Sequence, residues 1–327
     1  MRNIKYLFVT LLSLSFAGKA SAQSVKGEMK DNAGHLINAH GAGILYNNGT
    51  YYLFGEIKKG KTWLVPGQQW EDYRVPAGGV SCYESKDLKH WKYDGVALAP
   101  VKSDTTNDID TGRVIERPKV IYNAKTKKFV MWMHVDRKDY SYSRAGVAIS
   151  NTPAGPYRYL RSVKPNGNMA RDMTLFQNDD CKAYLVYSSE QNKTMQVCLL
   201  NDDYLSPSKT YNRILIGRNR EAPALFKNGG KYYLITSSCS GWSPNAATYA
   251  VANNPLGPYK EYGNPCTGPG AATTYEAQST FVLPIKGNNY IFMADRWNKL
   301  DLPKSDYLWL PLTVNKNKVV ITTGTVH

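Results

Sequence analysis

A two-strand pattern recurs five times along the chain: a short apolar segment, a polar turn, and a second apolar segment rich in aromatic residues. The first segments of the five copies begin at Ile44, Val120, Thr174, Ala224 and Phe281. The turns contain steps such as Asn48-Gly49 and Gly229-Gly230, which supply the positive φ angles that tight hairpins need. Each copy is therefore predicted to be a β-hairpin, and third strands are predicted at residues 145–150 and 247–252.

The spacing of these hairpins indicates the fold. Successive copies begin 76, 54, 50 and 57 residues apart, and the long first interval contains a Gly-, Pro- and Trp-rich loop around residues 61–78. A repeating unit of about 50 residues with three or four short strands is typical of a β-propeller blade. We therefore predict an all-β, five-bladed β-propeller that forms a single domain over residues 23–327. A β-sandwich is the structural alternative, but it does not require a hairpin at a regular interval.

The first 22 residues have the pattern of a signal peptide. Arg2 and Lys5 precede a 12-residue apolar run, and the A-x-A sequence at residues 20–22 predicts cleavage after Ala22. The run is too short to cross a bilayer, which takes roughly 20 residues. We expect a secreted or periplasmic protein without membrane insertion, and we expect it to be a monomer.

The high net charge does not by itself identify a binding partner. Lys and Arg number 41 against 26 Asp and Glu, a net charge of +15, which by itself favours a nucleic-acid or anion binder. Loss of Arg2, Lys5 and Lys19 with the signal peptide lowers it to +12. The lysines are scattered through the hairpin turns and no nucleic-acid motif is present, so no nucleic-acid partner is predicted. We retain the hypothesis that the basic excess helps the protein to meet polymers decorated with uronic acids.

Cysteine and motif content argue against several other chemistries. The chain has five cysteines, an odd number, so at least one is free or bonded to another chain. It lacks C-x-x-C pairs, H-E-x-x-H, G-x-S-x-G and phosphate-binding glycine loops. We therefore predict no metal requirement for chemistry and no cofactor.

Candidate chemistry lies at the start of the inner strands. In a propeller these strands surround one axis, so residues just before each first segment should converge on one funnel. Those positions hold His40, Glu116, Asp172, Glu221 and Gln278. Clustered carboxylates raise one another's pKa, and glycoside hydrolysis uses such a raised acid beside ionised groups. The alternative for the three acids is simple pairing with the adjacent Arg117, Arg171 and Arg220, and His40 is expected to fill the axis by hydrogen bonding.

Two of these segments resemble motifs of glycoside hydrolase family 43. Residues 171–187, beginning Arg171-Asp172, resemble its second acidic motif, and residues 221–234, beginning Glu221-Ala222-Pro223, resemble its general-acid motif. The resemblance covers nearly the whole mature chain. It implies that Glu221 protonates the leaving oxygen, that Asp172 raises the pKa of Glu221 and orients it, and that the configuration at the anomeric carbon is inverted.

One departure from the family pattern points to a particular branch. The family usually has an aspartate base at the start of the first blade, but residues 37–43 contain no acid. This absence is similar to the exo-β-1,3-galactanase branch, as are residues 114–120, 240–242 and 293–298. That resemblance implies that Gln278 takes the place of the base and that Glu116 binds sugar. A neutral amide is a poor base, so Gln278 either aligns the water or relays a proton through its imidic acid tautomer.

Four further residues are predicted to bind the sugar around the funnel: Glu56, Tyr142, Glu190 and Trp242. Carboxylates suit paired hydroxyls, and flat aromatic faces suit the apolar side of galactose. The leading interpretation is an exported exo-β-1,3-galactanase acting on a plant-type polysaccharide such as arabinogalactan. The alternatives are an α-L-arabinofuranosidase or β-xylosidase of the same family, and a non-catalytic carbohydrate-binding propeller.

Overall fold

The predicted five-bladed β-propeller is confirmed. The structure, a computed structural model, describes residues 24–68, 70–285 and 287–323. The predicted signal peptide and its cleavage site after Ala22 lie outside these residues. The first strands of the five blades contact one another in a closed ring around a central axis, which a sandwich of two sheets would not produce.

The strands follow in chain order, beginning with β1 (Val25–Gly27). Blade 1 and a hairpin inserted in it comprise β2 (His40–Asn47), β3 (Thr50–Lys58), β4 (Trp63–Leu64), β5 (Tyr73–Arg74), β6 (Ala77–Ser85) and β7 (Lys92–Leu98). Blade 2 comprises β8 (Arg113–Asn123), β9 (Lys128–Arg137), β10 (Arg144–Ser150) and β11 (Arg158–Val163). Blade 3 comprises β12 (Met173–Gln177), β13 (Ala183–Ser189), β14 (Thr194–Leu200) and β15 (Pro207–Ile214).

Blade 4 comprises β16 (Arg220–Asn228), β17 (Lys231–Ser238), β18 (Thr248–Ala252) and β19 (Lys260–Gly263). Blade 5 contains β20 (Gln278–Pro284), β21 (Asn289–Arg296), β22 (Asp306–Asn315) and β23 (Lys318–Ile321). Short 3₁₀ helices lie at Pro165–Gly167, Ala271–Thr273 and Leu302–Lys304. Within the described ranges, no helix has the length and apolar character needed to cross a membrane.

Blade 5 takes strands from both ends of the described chain. β22 pairs with β21 on one side, and on its other side it pairs with β1 and β23. Val25 lies opposite Trp309 in the first pairing, and Ile321 lies opposite Leu312 in the second. The fifth blade is therefore completed by the first and the last strands together.

The apolar runs are continuous because each blade is covered by neighbours on both faces. In β13, Tyr184 and Val186 pack with Leu234 of blade 4, whereas Leu185 and Tyr187 belong to the cluster shared with blade 2. Alternate side chains of one strand thus face opposite blades. This double burial explains why the second strands read as unbroken hydrophobic segments rather than as alternating ones.

Irregularities in the inner strands occur where the chemistry was predicted. The ladders of β2, β8 and β16 shift register directly after His40, Glu116 and Glu221, and β20 shifts after Ser279. Gly41, which follows His40, has φ +56°, and a Cβ there would lie 2.9 Å from the Glu56 carboxylate and 3.1 Å from the Arg117 nitrogen. A β-bulge turns the side chain beside it out of the regular alternation, here towards the axis.

Candidate active site

A cavity of about 510 Å³ opens at the end of the axis where the inner strands begin. It contains six of the eight predicted site residues: Glu56, Glu116, Asp172, Glu221, Trp242 and Gln278. A second cavity, of about 530 Å³, lies where the inner strands end, and Asp179 is its one acidic lining residue among those the structure describes. The predicted convergence of carboxylates therefore distinguishes the first cavity.

Glu221 lies between blades 3 and 5 in this cavity. Nε2 of Gln278 donates to its Oε1 at 2.9 Å, and Nδ2 of Asn192 lies 3.3 Å from its Oε2. Burial, followed by the negative charge of Asp172, raises the pKa of Glu221 to about 8, although Arg117 acts in the opposite direction. A carboxyl group with this pKa carries a proton at neutral pH, which is the state that a general acid requires.

Asp172 is held by main-chain and side-chain donors. Its Oδ1 lies 2.9 Å from Nε of Arg117, and its Oδ2 accepts a hydrogen bond from the backbone nitrogen of Ala222 at 3.0 Å. Arg171, the partner suggested by the sequence, instead donates to Gln191 at 2.8 Å. Asp172 is thus fixed against the strand that carries Glu221.

Gln278 makes four polar contacts, which determine the orientation of its amide. Its Oε1 accepts from Nη2 of Arg117 at 2.7 Å and from Nε1 of Trp297 at 3.0 Å. Its Nε2 donates to Glu221 and, at 3.1 Å, to Oγ of Ser237. Arginine and tryptophan nitrogens can only donate, so the oxygen must face them and the NH₂ must face Glu221.

Arg117 links these groups, and the sequence did not single it out. It is buried, and beyond Asp172 and Gln278 its Nη1 donates to the carbonyl oxygen of Ser279 at 2.9 Å. Its φ of +52° places it in the bulge of β8, so its side chain leaves Glu116 and reaches blades 3 and 5. The pairing of Arg117 with Glu116 that the sequence suggested is therefore replaced by contacts to other blades.

Glu116 is instead paired with an imidazole. Its Oε2 lies 3.2 Å from Nδ1 of His134, and the Tyr140 hydroxyl donates to it at 2.8 Å. Nε2 of His134 lies 2.9 Å from Oδ2 of Asp136. Burial lowers the pKa of His134, but hydrogen bonds to Asp136 and Glu116 outweigh it and raise that pKa to about 9. His134 is therefore an imidazolium between two carboxylates at neutral pH.

Glu116, His134 and Asp172 are close enough to one another to hold a metal ion, with ligand atoms within 4.8 Å. Both ring nitrogens of His134 already face carboxylates, so binding a metal would require it to give up a proton and a partner. The geometry fits a hydrogen-bonded carboxylate cluster better than a metal site. The prediction that the chemistry needs no metal stays a prediction.

The opposite wall combines an ion pair with aromatic rings. Glu56 lies opposite His40 in the β2–β3 ladder and pairs with Lys58 at 2.8 Å. The Lys58 ammonium lies 5.5 Å from the ring centre of Trp297 and 5.7 Å from that of Trp242. The rings of Trp242 and Trp297 meet edge to face at 5.2 Å. This wall offers paired polar groups beside flat apolar faces, a combination suited to a sugar.

His40 itself does not line the cavity. It is buried, its Nδ1 lies 3.3 Å from Oδ1 of Asp295, and its ring stacks on Tyr307 at 5.0 Å. This agrees with the expectation that His40 fills the axis by hydrogen bonding.

Comparison with known proteins identifies the family to which the chain belongs. The model of the glycosyl hydrolases family 43 matches residues 44–298. The chain belongs to glycosyl hydrolase family 43. A solved family 43 β-1,3-galactosidase is 40% identical and covers 93% of this chain and 99% of its own, with a TM-score of 0.84. An exo-β-1,3-galactanase from Phanerochaete chrysosporium is 36% identical over 91% of this chain and 66% of its own, with a TM-score of 0.81.

A curated relative is more distant. The extracellular endo-α-(1→5)-L-arabinanase 2 of Bacillus subtilis (strain 168) is 22% identical over 90% of this chain, which spans 61% of that relative's length. Together, the family match and the structural neighbours show that this family 43 protein is a glycoside hydrolase.

Two predicted sugar contacts of this hydrolase lie outside the cavity. Glu190 forms a two-point ion pair with Arg213 at 2.6 Å, and Asn192, two residues later, reaches Glu221 instead. Tyr142 packs among arginines, and Tyr140, two residues earlier, contacts Glu116 instead. Residues 190–192 all have positive φ, as does Tyr140, so strand alternation does not hold in these loops and the sequence could not indicate which side chain turns inward.

Several cavity residues of the hydrolase were not predicted from the sequence. Cys239 lines the cavity, and partial removal from water together with the charge of Glu221 raises the pKa of its thiol. Trp70, from the loop of the inserted hairpin, meets the Tyr140 ring edge to face at 6.0 Å. Arg117 and Trp297 lay within segments that carried the family resemblance, and that was the one signal available for them.

Proposed function

We propose that this hydrolase is an exported, exo-acting enzyme that releases galactose from β-1,3-galactan, such as the arabinogalactan backbone, with inversion at the anomeric carbon. The observation that carries the proposal is Glu221, which lines the cavity beside Asp172 and whose pKa is raised to about 8 by burial and by the charge of Asp172. The two solved relatives described above are named a β-1,3-galactosidase and an exo-β-1,3-galactanase, which supports galactan as the substrate.

In the proposed mechanism, Glu221 gives its proton to the oxygen of the leaving sugar. Asp172 keeps that proton in place because its negative charge opposes ionisation of Glu221. Once the proton has left, the new carboxylate of Glu221 is stabilised by the NH₂ of Gln278 and by Asn192. Glu116, Glu56 and Trp242 hold the galactose from the other walls of the cavity.

Gln278 acts on the attacking water by position rather than as a strong base. The imidic acid tautomer would place a proton on Oε1, which already accepts from two groups that can only donate. The contacts of the amide therefore favour the ordinary tautomer. They use both lone pairs and both N–H groups, so Gln278 must release Glu221 or Ser237 in order to contact the attacking water. Inversion follows from water attacking the face opposite the leaving oxygen.

The proposal is tested by proton NMR of fresh product from β-1,3-galactan. We expect α-galactose to appear first and larger fragments to be absent; β-galactose appearing first would rule out inversion, and early oligosaccharides would rule out exo action. Glu221→Gln should lower kcat by about 10²–10⁴-fold, the usual contribution of a general acid. An unchanged rate would exclude Glu221 as the acid, and a parent protein that binds galactan without cleaving it would favour a lectin-like role.

An arabinan-acting hydrolase is the second candidate, because the curated relative is named an arabinanase. Its lower identity of 22% gives it less support than the galactan-acting structures have. Aryl α-L-arabinofuranoside, aryl β-xyloside and β-1,3-galactobiose separate these activities. Cleavage of the arabinoside alone would replace the galactan proposal.

A further inference from the structure

Tyr142 lies at the centre of three arginines. The guanidinium carbons of Arg113, Arg137 and Arg144 lie 5.4, 5.9 and 4.6 Å from the centre of its ring. Arg113 begins β8, Arg137 ends β9 and Arg144 begins β10, so all three lie at the end of blade 2 that faces the active-site cavity. We call these three residues the arginine cluster.

The arginine cluster has no acidic partner in the described part of the chain. None of its members forms an ion pair there, and Arg113 lies directly opposite Arg137 in the β8–β9 ladder. Like charges opposite each other across two strands are destabilising. Nearby carboxylates have other donors: Asp136 accepts from Ser143 and faces His134, and Asp108 accepts from the Tyr159 hydroxyl.

Two of these guanidinium groups also have unused donors. Nη1 of Arg113 and Nε of Arg144 are buried and lack a hydrogen-bond partner among the described residues. The guanidinium groups are otherwise half-buried or exposed, and Nη2 of Arg113 donates to the carbonyl oxygen of Thr105 at 2.8 Å. A buried N–H without a partner is costly unless an acceptor occupies the position. Repulsion and unused donors together indicate a site prepared for an anion from outside the chain.

The arginine cluster adjoins the catalytic cavity. Arg113 lines a narrow cleft together with Glu56, Lys58 and Glu116, which also line the cavity. Tyr140 is two residues from Tyr142 on the same loop and contacts Glu116. A glycan with its chain end beside Glu116 would therefore have a neighbouring branch within reach of the cluster.

We propose that the arginine cluster binds the acidic group of a branch on the glycan, either a uronic acid carboxylate or a sulfate ester. The inference rests on the proposed function and narrows its substrate class to acid-bearing galactans. Guanidinium groups bind such oxyanions through two parallel hydrogen bonds, and stacking against Tyr142 holds their planes in place beforehand. The net charge of +12 expected after loss of the signal peptide would draw the same polymers towards the protein.

The test compares a β-1,3-galacto-oligosaccharide that carries one glucuronic acid branch with its carboxyl-reduced, neutral counterpart. Arg113→Gln and Arg144→Gln should each lower kcat/KM for the acidic substrate by about tenfold, while the neutral substrate changes less than twofold. Arg158→Gln, at the other end of blade 2, removes the same charge as a control and should affect neither substrate. A sulfated oligosaccharide, run in parallel, shows which acid the cluster prefers. Equal losses on acidic and neutral substrates, or none on either, would overturn the proposal.

Two further measurements distinguish an anion site from a structural role of the arginine cluster. Because Arg113 and Arg137 repel each other, Arg113→Gln should leave Tm unchanged or raise it; a marked fall would indicate a structural role. If the parent enzyme cleaves no galactan, the proposed function fails. Calorimetry with sodium glucuronate and inorganic sulfate then tests independently whether the arginine cluster binds anions. Binding to the parent but not to the Arg113→Gln/Arg144→Gln variant supports the anion site, and equal binding or none refutes it.

Discussion

Arg117 of blade 2 forms a salt bridge with Asp172 of blade 3, with 2.9 Å between Nε and Oδ1. The same guanidinium donates to the amide oxygen of Gln278 in blade 5 at 2.7 Å. One buried side chain therefore sets the positions of two groups that flank Glu221. Asp172 and Gln278 lie far apart in sequence, and their contacts to Arg117 fix their positions relative to each other.

Replacing Arg117 tests this link. Arg117→Lys keeps the charge but loses the planar fork, so it cannot hold Asp172 and Gln278 together. We expect kcat to fall by about a hundredfold, since small misplacements of catalytic groups have effects of this size. Steady-state kinetics on β-1,3-galactobiose measures it, with Arg171→Lys at the cavity rim as the matched control. Equal effects of the two variants would contradict a linking role for Arg117.

The pH profile should report the proton on Glu221. Activity requires that proton, so kcat/KM should fall as the pH rises through about 8. The negative charge of Asp172 raises this pKa, so Asp172→Asn should lower it and move the basic limb to lower pH. At pH 8 we expect a loss of about tenfold or more. Glu190→Gln removes a charge outside the cavity and should leave the limb in place; an unmoved limb in Asp172→Asn would exclude the proposed role.

The fold was predictable from the sequence because each blade repeats the same local rule. A turn with positive φ between two apolar strands, five times at regular intervals, leaves few architectures other than a propeller. Double burial between blades replaces polar alternation with continuous apolar segments, and their short length and aromatic content still indicate strands. The one long interval contains the inserted hairpin of β4 and β5. Its sequence does not repeat the blade pattern, so its contact with Tyr140 through Trp70 could not be predicted.

The site was most predictable where it belongs to the repeat. Glu116, Glu221 and Gln278 occupy equivalent strand starts, so knowledge of the fold brought them together. Arg117 and Tyr140 act across blades or from loops with positive φ, and neither contact follows from sequence spacing. For the same reason, Tyr142 and Glu190 were chosen in place of neighbours two residues away.

Gln278 offers a test of charge beside the acid. In Gln278→Glu, one carboxylate oxygen keeps the contacts to Arg117 and Trp297, and the other faces Glu221 without a proton to donate. The added negative charge should raise the pKa of Glu221 and move the basic limb to higher pH. Gln278→Ala adds no charge, but it removes the positioning of water and the hydrogen bond that lowers the pKa of Glu221, so kcat should fall by about a hundredfold and the basic limb should move to higher pH by less than in Gln278→Glu. A pH profile of each variant distinguishes these effects, and identical profiles would contradict them.

Folding stability should depend on His134. The pKa of His134 in the folded protein is raised to about 9 from an ordinary value near 6.5. Its contribution is therefore complete below about pH 6.5 and is lost as the pH rises through about 9, a change of about 3 kcal/mol for a shift of this size. Urea unfolding at pH 6.5 and pH 9.5 measures it. His134→Gln should be less stable at pH 6.5 and show a smaller fall between the two values; a fall as large as that of the parent would show that other groups cause it.

Blade 5 is completed by β1 and β23, the first and last strands of the described residues. During synthesis, the strands of blades 1 to 4 are available early, but they form only an open arc whose last face has no neighbour. The ring closes when blade 5 forms and β20 contacts both β16 and β2. Assembly of the cavity, which needs Gln278 and Trp297 of that last blade beside Glu221, thus coincides with closure, so an incomplete chain would carry the acid without its partners.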